Sequence, residues 1–268
     1  MSLIYNAVFD KNTRKLSFED KAGNEIYSFI VPERGPAVDD ITKPLTFKAT
    51  QDGSTVKLTK LGLPYGYFQT SRDGGNTWVD YTIDTVITLN TGDEVAFRAK
   101  SNRTSAQSNN VVFYFIMEGK IEAWHNVMSL YRTNDFATYE SVVDYAFDHL
   151  FWYCTSLTKS PVLPATTLAD HCYSNMFQGT SLTKAPELPA TTLVSNCYSN
   201  MFSGCQSLKE VRIAATDMMA SDVLTDWLKN VSATGDFYCD PNETIFLTGA
   251  SGIPANWTRH ALADYPTT

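Results

Sequence analysis

The chain has no run of basic residues, no long apolar run, no CxxC pair and none of the common catalytic signatures. Each absence removes a class of function. Lys and Arg number 21 against 29 Asp and Glu, a formal charge of −8. A polyanion has to be met by clustered Lys and Arg, so nucleic acid and anionic membrane are excluded as main partners. No window approaches the roughly 18 apolar residues of a membrane span, so membrane insertion is not expected. The start, MSLIYNAVFDKNTRKLSF, lacks the basic, apolar and small-residue parts of a secretory signal. A chain used without secretion, or one whose leader has been removed, is the expectation.

Catalytic signals are equally sparse. HExxH, GxSxG, a P-loop and a GxGxxG after a strand are all missing, and the histidines His125, His149, His171 and His260 stand in no partner pattern. The acidic residues sit mainly in turn-like stretches. No enzyme activity, cofactor or metal is expected. The five cysteines are Cys154, Cys172, Cys197, Cys205 and Cys239. The odd number and the lack of close pairs favour small apolar core fillers over disulfides or metal ligands. The Asn-x-Ser/Thr matches at Asn102, Asn230, Asn242 and Asn256 carry little weight without a secretory signal.

What the chain does have is repetition. CYSNMF occurs at 172–177 and 197–202, and LPATTL at 163–168 and 188–193. Aligned on phenylalanine, copies begin at Val142, Leu168 and Leu193, with a degenerate one from Met219. A period of 25–26 residues marks a solenoid of leucine-rich type, with one strand and one helix or helical turn per repeat. Leu168, Cys172 and Met176, like Leu193, Cys197 and Met201, are spaced by four and predict a helical face. Thr166 or Thr167 is expected to cap the first of these helices, and Gly179 and Gly204 to end them in a left-handed conformation. The strands follow with inward Leu157, Leu182 and Leu208. Pro161 and Pro186 remove ladder donors, so the third strand, SLKEVRI, should pair best. The words repeat because each copy buries its face only against its neighbour. The segment around Trp257 is expected to cover one end.

Before the repeats the period changes to two. Residues 3–9, 14–19 and 25–31 read as a three-stranded meander, followed by the linker VPERGPAVDDITKP. From Leu45 to Ile121, seven short strand candidates separated by QDGS, RDGGN and NTGD turns predict an Ig-like β-sandwich. SNRTSAQSNN reads as a polar loop. SRDGGNTW at 71–78 fits the SxDxGxTW pattern of the sialidase Asp-box, but one copy reads as a hairpin tied by Asp73 and closed by a buried Trp78. The expected class is therefore multi-domain, β plus α/β: a β-rich anchoring head and linker (1–40), an Ig-like sandwich (41–122), a short leucine-rich-repeat solenoid with its cap (123–260) and a tail (261–268).

The words SLTKAPELPATTL, CYSNMFSGC and GASGIPANW resemble the BspA-like leucine-rich repeats of gut bacteria and their phages. ITLNTGDEVAFRAKSN and GKIEAWHNVMSLY are similar to the domain that often precedes them. The resemblance covers about 210 of the 268 residues and leaves the first 40 outside it. It implies a non-enzymatic surface or display molecule that binds host proteins or other cells, and it brings no catalytic residues. With the short β-rich head, the layout is that of a phage virion decoration or fibre protein. Residues 1–40 would then meet other virion proteins, and the repeats would face a host-surface glycan or protein; a homo-oligomer is left open. The alternative is a bacterial cell-surface adhesin. Period-two alternation from the inward leucines sends Thr158, Thr183 and Lys209 outward, and Lys159, Lys184, Glu187, Glu210 and Arg212 join them as the candidate binding row.

Overall fold

The computed structural model describes residues 6–10, 15–19, 21–22, 25–30, 39–61, 68–102, 112–242 and 245–265. Two compact units are present, residues 1–38 and 39–268. In the first, β1 (Asn6–Asp10), β2 (Lys15–Glu19) and β3 (Glu25–Ile30) form the expected antiparallel meander, with β2 in the middle. Residues 3–5 of the first predicted strand and 31–38 of the predicted linker lie outside the described residues.

The second unit opens with the seven predicted strands: β4 (Thr46–Ala49), β5 (Ser54–Leu61), β6 (Phe68–Ser71), β7 (Val79–Tyr81), β8 (Ile87–Leu89), β9 (Glu94–Ala99) and β10 (Val112–Glu118). An eighth, β11 (Ile121–Trp124), was not expected as a strand. Residues 103–110 of the predicted polar loop lie outside the described residues. Two sheets result, one in the order β10-β5-β8, the other containing β11-β4-β9-β6-β7. Phe47 and Phe97 from the second sheet meet Phe115 from the first edge-on, at centroid distances of 4.6 and 5.3 Å. All three rings are fully buried, and their alternation with outward polar residues is what the period of two encoded.

The repeats grow directly from these sheets. β11 pairs in parallel with β12 (Leu157–Lys159), and the Phe115 amide of β10 donates to the Leu150 carbonyl (2.8 Å). Thus both sheets offer an edge to the first coil, and the buried core runs on from Leu45 to Trp257.

The predicted helices are not there: among the described residues no α-helix occurs, only short 3-10 turns at Val127–Leu130, Phe136–Thr138 and Leu262–Asp264. The α/β part of the expected class is corrected accordingly, and the described chain is β-rich. Residues 143–154, 169–180, 194–205 and 222–230 instead form a ribbon of consecutive tight turns. In the second coil the amides of Cys172, Ser174, Met176, Gln178 and Thr180 each bond the carbonyl three residues back. The intervening amides of His171, Tyr173, Asn175, Phe177 and Gly179 cross to Ser195, Cys197, Ser199, Met201 and Ser203 of the next coil. Every fourth residue is left-handed, with φ of 56° at His171, 55° at Asn175 and 71° at Gly179. A left-handed residue stops a helix from propagating, and the backbone groups this releases are satisfied by the neighbouring coil. Thr166 and Thr167 cap nothing; both amides bond the Glu140 carbonyl at 3.0 Å.

On the opposite side of each coil the strand ladder is thin where proline interrupts it. Lys184 and Leu188, flanking Pro186, make only isolated bridges, whereas proline-free β13 (Glu210–Arg212) pairs in three consecutive positions with β14 (Gly235–Cys239). β14 pairs in parallel with β15 (Trp257–Ala261), and the buried Trp257 donates its indole N–H to the Ser232 carbonyl at 2.8 Å. Leu157, Leu182 and Leu208 are all fully buried, as the inward reading requires.

Candidate functional site

The candidate row lies on the strand side of the coils. Thr158, Thr183, Lys184, Glu187 and Lys209 are exposed; Lys159, Glu210 and Arg212 are half-buried. The structure divides them into three groups. Lys159 stands apart: its ammonium bonds the Asp39 carboxylate at 2.6 Å and lies 3.7 Å from the centre of the Trp124 ring. Thr158, Thr183 and Lys209 follow one another across successive coils; the Thr158 hydroxyl donates to the Ile121 carbonyl, and the Lys209 amide to the Thr183 carbonyl. Lys184, Glu187, Glu210 and Arg212 are brought together. Lys184 pairs with Glu210 at 2.9 Å, and Arg212 with Glu187.

A residue that the sequence reading left in the tail organises this last group. The stretch expected as a tail from residue 261 is ordered as far as Tyr265, which follows the 3-10 turn Leu262–Asp264. Its hydroxyl donates to Glu210 Oε1 at 2.9 Å. Lys184 Nζ and the Arg212 guanidinium lie 4.8 and 4.9 Å from its ring centre, and Tyr238 meets it edge-on at 4.9 Å. On the far side of Tyr238, the His260 ring stacks at 4.8 Å and its Nε2 lies 2.7 Å from Asp236 Oδ1. A single tyrosine near the end of a chain has no periodicity to mark it.

The electrostatics follow from these partners. Burial opposes the charge on Lys184, but its hydrogen bonds to Tyr265 and Glu210 outweigh this and hold its pKa above the ordinary value. Burial, together with the negative Glu210, pushes the Tyr265 phenol up. Both therefore keep their protons at neutral pH. The patch alternates cation, anion and phenol, and the backbone beneath it is fixed by coil-to-coil hydrogen bonds. Such an array donates and accepts hydrogen bonds with little reorganisation, which suits a polar ligand surface.

Other candidate features have structural explanations. In SRDGGNTW, Asp73 accepts from Ser71 Oγ (2.7 Å), from the Thr77 amide (2.9 Å) and from Thr77 Oγ1 (2.6 Å), closing the β6–β7 hairpin. These hydrogen bonds hold its carboxyl far below the usual carboxylate range. Trp78, expected to be buried, is half-buried and covered by Arg98 at 4.1 Å from its ring centre. All five cysteines are buried and none is in a disulfide, and burial pushes the Cys154 and Cys197 thiols up to about 12. A cleft bordered by Lys43, Ser71, Glu94 and His125 encloses about 60 Å³, far less than the roughly 300–1,000 Å³ of small-molecule sites. Among the described residues no group of three His, Cys, Asp or Glu is placed to hold a metal ion. Comparison with protein-family models, with curated proteins and with solved structures finds no match in any of the three.

Proposed function

We propose that this chain is a non-enzymatic structural protein of a phage virion, a decoration or fibre subunit that displays its repeats for adhesion to a bacterial-surface or mucosal glycan or protein. In this reading the two facing sheets are an Ig-like sandwich and the stacked coils are BspA-like leucine-rich repeats. The observation that carries it is the row itself: Lys184 and Glu187 of one coil pair with Glu210 and Arg212 of the next, and Lys184, Glu210 and Arg212 converge on Tyr265. A ligand that spans coils would read this row as one surface. The anchoring role falls to residues 1–40. Within their sheet β1 and β3 are edge strands, and unpaired edges are ordinarily covered, here by another virion protein or a second copy.

Removing residues 1–38 tests the reading and leaves the Asp39–Lys159 pair of the second unit in place. The truncated protein is expected to keep the melting transition of residues 39–268, which form their own compact unit, and to be missing from purified particles. Truncated protein present in particles at the parental level would contradict the anchoring role. Recovery of the full chain from the cell envelope and never from particles would favour the adhesin alternative.

A further inference from the structure

The turn side of the first coil departs from the other coils in one respect. Its left-handed positions are Tyr145, His149 and Tyr153, with φ of 57°, 60° and 54°. The equivalent positions are His171, Asn175 and Gly179 in the second coil, Asn196, Asn200 and Gly204 in the third, and Asp222, Asp226 and Asn230 in the fourth. Gly, Asn, Asp and His are the residues that tolerate this conformation, and a bulky tyrosine there is strained. The first coil thus places two tyrosines, Tyr145 and Tyr153, where its neighbours place tolerant residues. Strain kept in place by the surrounding structure is a pointer to function.

The rings are also left open. Tyr153 is 59% exposed and the adjacent Trp152 is 42% exposed. They meet edge to face at 4.9 Å, and His149 meets Trp152 at 5.5 Å. The arrangement is held in place. The Trp152 indole donates to Gln178 Oε1 at 2.7 Å. Tyr153 lies against Gly179, where a Cβ would come within 2.7 Å of its ring. Tyr145 stacks on His171 with planes 7° apart.

We infer that this ridge is a binding site for a neutral glycan. It is separate from the charged row and does not depend on it. The negative face of an aromatic ring attracts the weakly positive C–H face of a pyranose, and Trp152 and Tyr153 supply such rings, already oriented. Hydroxyls at the sugar's rim meet the Gln178 amide nitrogen and the His149 and Asp148 side chains beside them. The flanking charges are Asp144 and Asp170, both exposed, with Asp148 half-buried. They repel an acidic polymer, which selects uncharged sugars. An apolar protein segment would need a continuous apolar patch, and these rings alternate with carboxylates and glycine.

The test is native affinity electrophoresis of the full chain through gels containing a β-glucan, a mannan or a galactan, with polygalacturonate as the acidic comparison. At least one neutral polymer should retard the parent, and polygalacturonate should not. The double variant Trp152→Ala, Tyr153→Gly should lose roughly ten-fold or more in affinity, about 1.4 kcal/mol. The single variant Tyr153→Gly, which replaces a strained tyrosine with the residue found at 179 and 204, should weaken retardation while moving the melting temperature by no more than about 2–4 °C. The inference is overturned by a parent that no neutral polymer retards, by retardation confined to polygalacturonate, or by ring variants that bind as the parent does.

Discussion

Phe177 and Phe202 stack with their ring planes 1° apart and their centroids separated by 5.7 Å. They belong to a longer column. Phe151 stacks on Phe177 at 5.4 Å, Phe115 of β10 stacks on Phe151 at 5.5 Å, and Trp227 follows Phe202 at 6.3 Å. The column joins the sheets to the coils, so the strand side and the turn side of each coil are held by one shared core. Stiffness of this kind is what a surface that reads across coils requires.

Truncating the column should therefore be costly. Phe177→Ala is expected to lose about 3–5 kcal/mol and Leu182→Ala about 2–5 kcal/mol, measured by denaturant unfolding. Both side chains are fully buried between neighbouring coils. Losses of a few tenths of a kcal/mol would show that the inward face has been misassigned.

The ribbon of turns makes a different demand at Asn200, where φ is 53°. Asn200→Ala should cost about 1–2 kcal/mol, because a Cβ without a compensating local hydrogen bond is disfavoured in the left-handed region. Asn200→Gly should change stability by only a few tenths of a kcal/mol. An Ala variant more stable than the Gly variant would argue for a helical segment at this position.

The buried thiols predict a pH dependence. Burial raises Cys154 and Cys197 from an ordinary value of 9.0 to about 12. Below pH 9 both states hold the proton and the thiols make no difference to stability. As pH rises from about 9 towards 12 the unfolded chain releases protons that the folded chain retains, so stability falls. The expected slope is roughly 1.4 kcal/mol per pH unit for each such thiol. At neutral pH none of the five cysteines should react with a thiol reagent until the protein is unfolded. Rapid labelling of the native protein would contradict their placement.

Much of this architecture could be read in the sequence because it is periodic. Alternation located β4 to β10, and the repeated words located the coils and their inward leucines. The helices were misread for a definite reason: Leu168, Cys172 and Met176 at spacing four fit one face of a helix and one side of a turn ribbon alike. The signal that separates the two was present. His171, Asn175 and Gly179 recur at a spacing of four, as do Asn196, Asn200 and Gly204, and these are residue types that tolerate positive φ rather than strong helix formers. β11 escaped notice because four residues are too short to show a period. The candidate row was legible as a set of outward residues, but its closure by Tyr265 depends on a chain reversal that no local pattern encodes.

The central claim is that the row formed by Lys184, Glu187 and Arg212 serves recognition and not stability. Ion pairs this open to solvent, with Lys184 and Glu187 exposed and Glu210 and Arg212 half-buried, contribute only about 0–1 kcal/mol each, so replacing these three residues with Ala should leave the melting temperature nearly unchanged. The direct measurement is attachment of the purified protein to host cells, parent against triple variant, at matched stability. The account predicts that the parent attaches and the triple variant does not. Attachment of the triple variant at the parental level would contradict it.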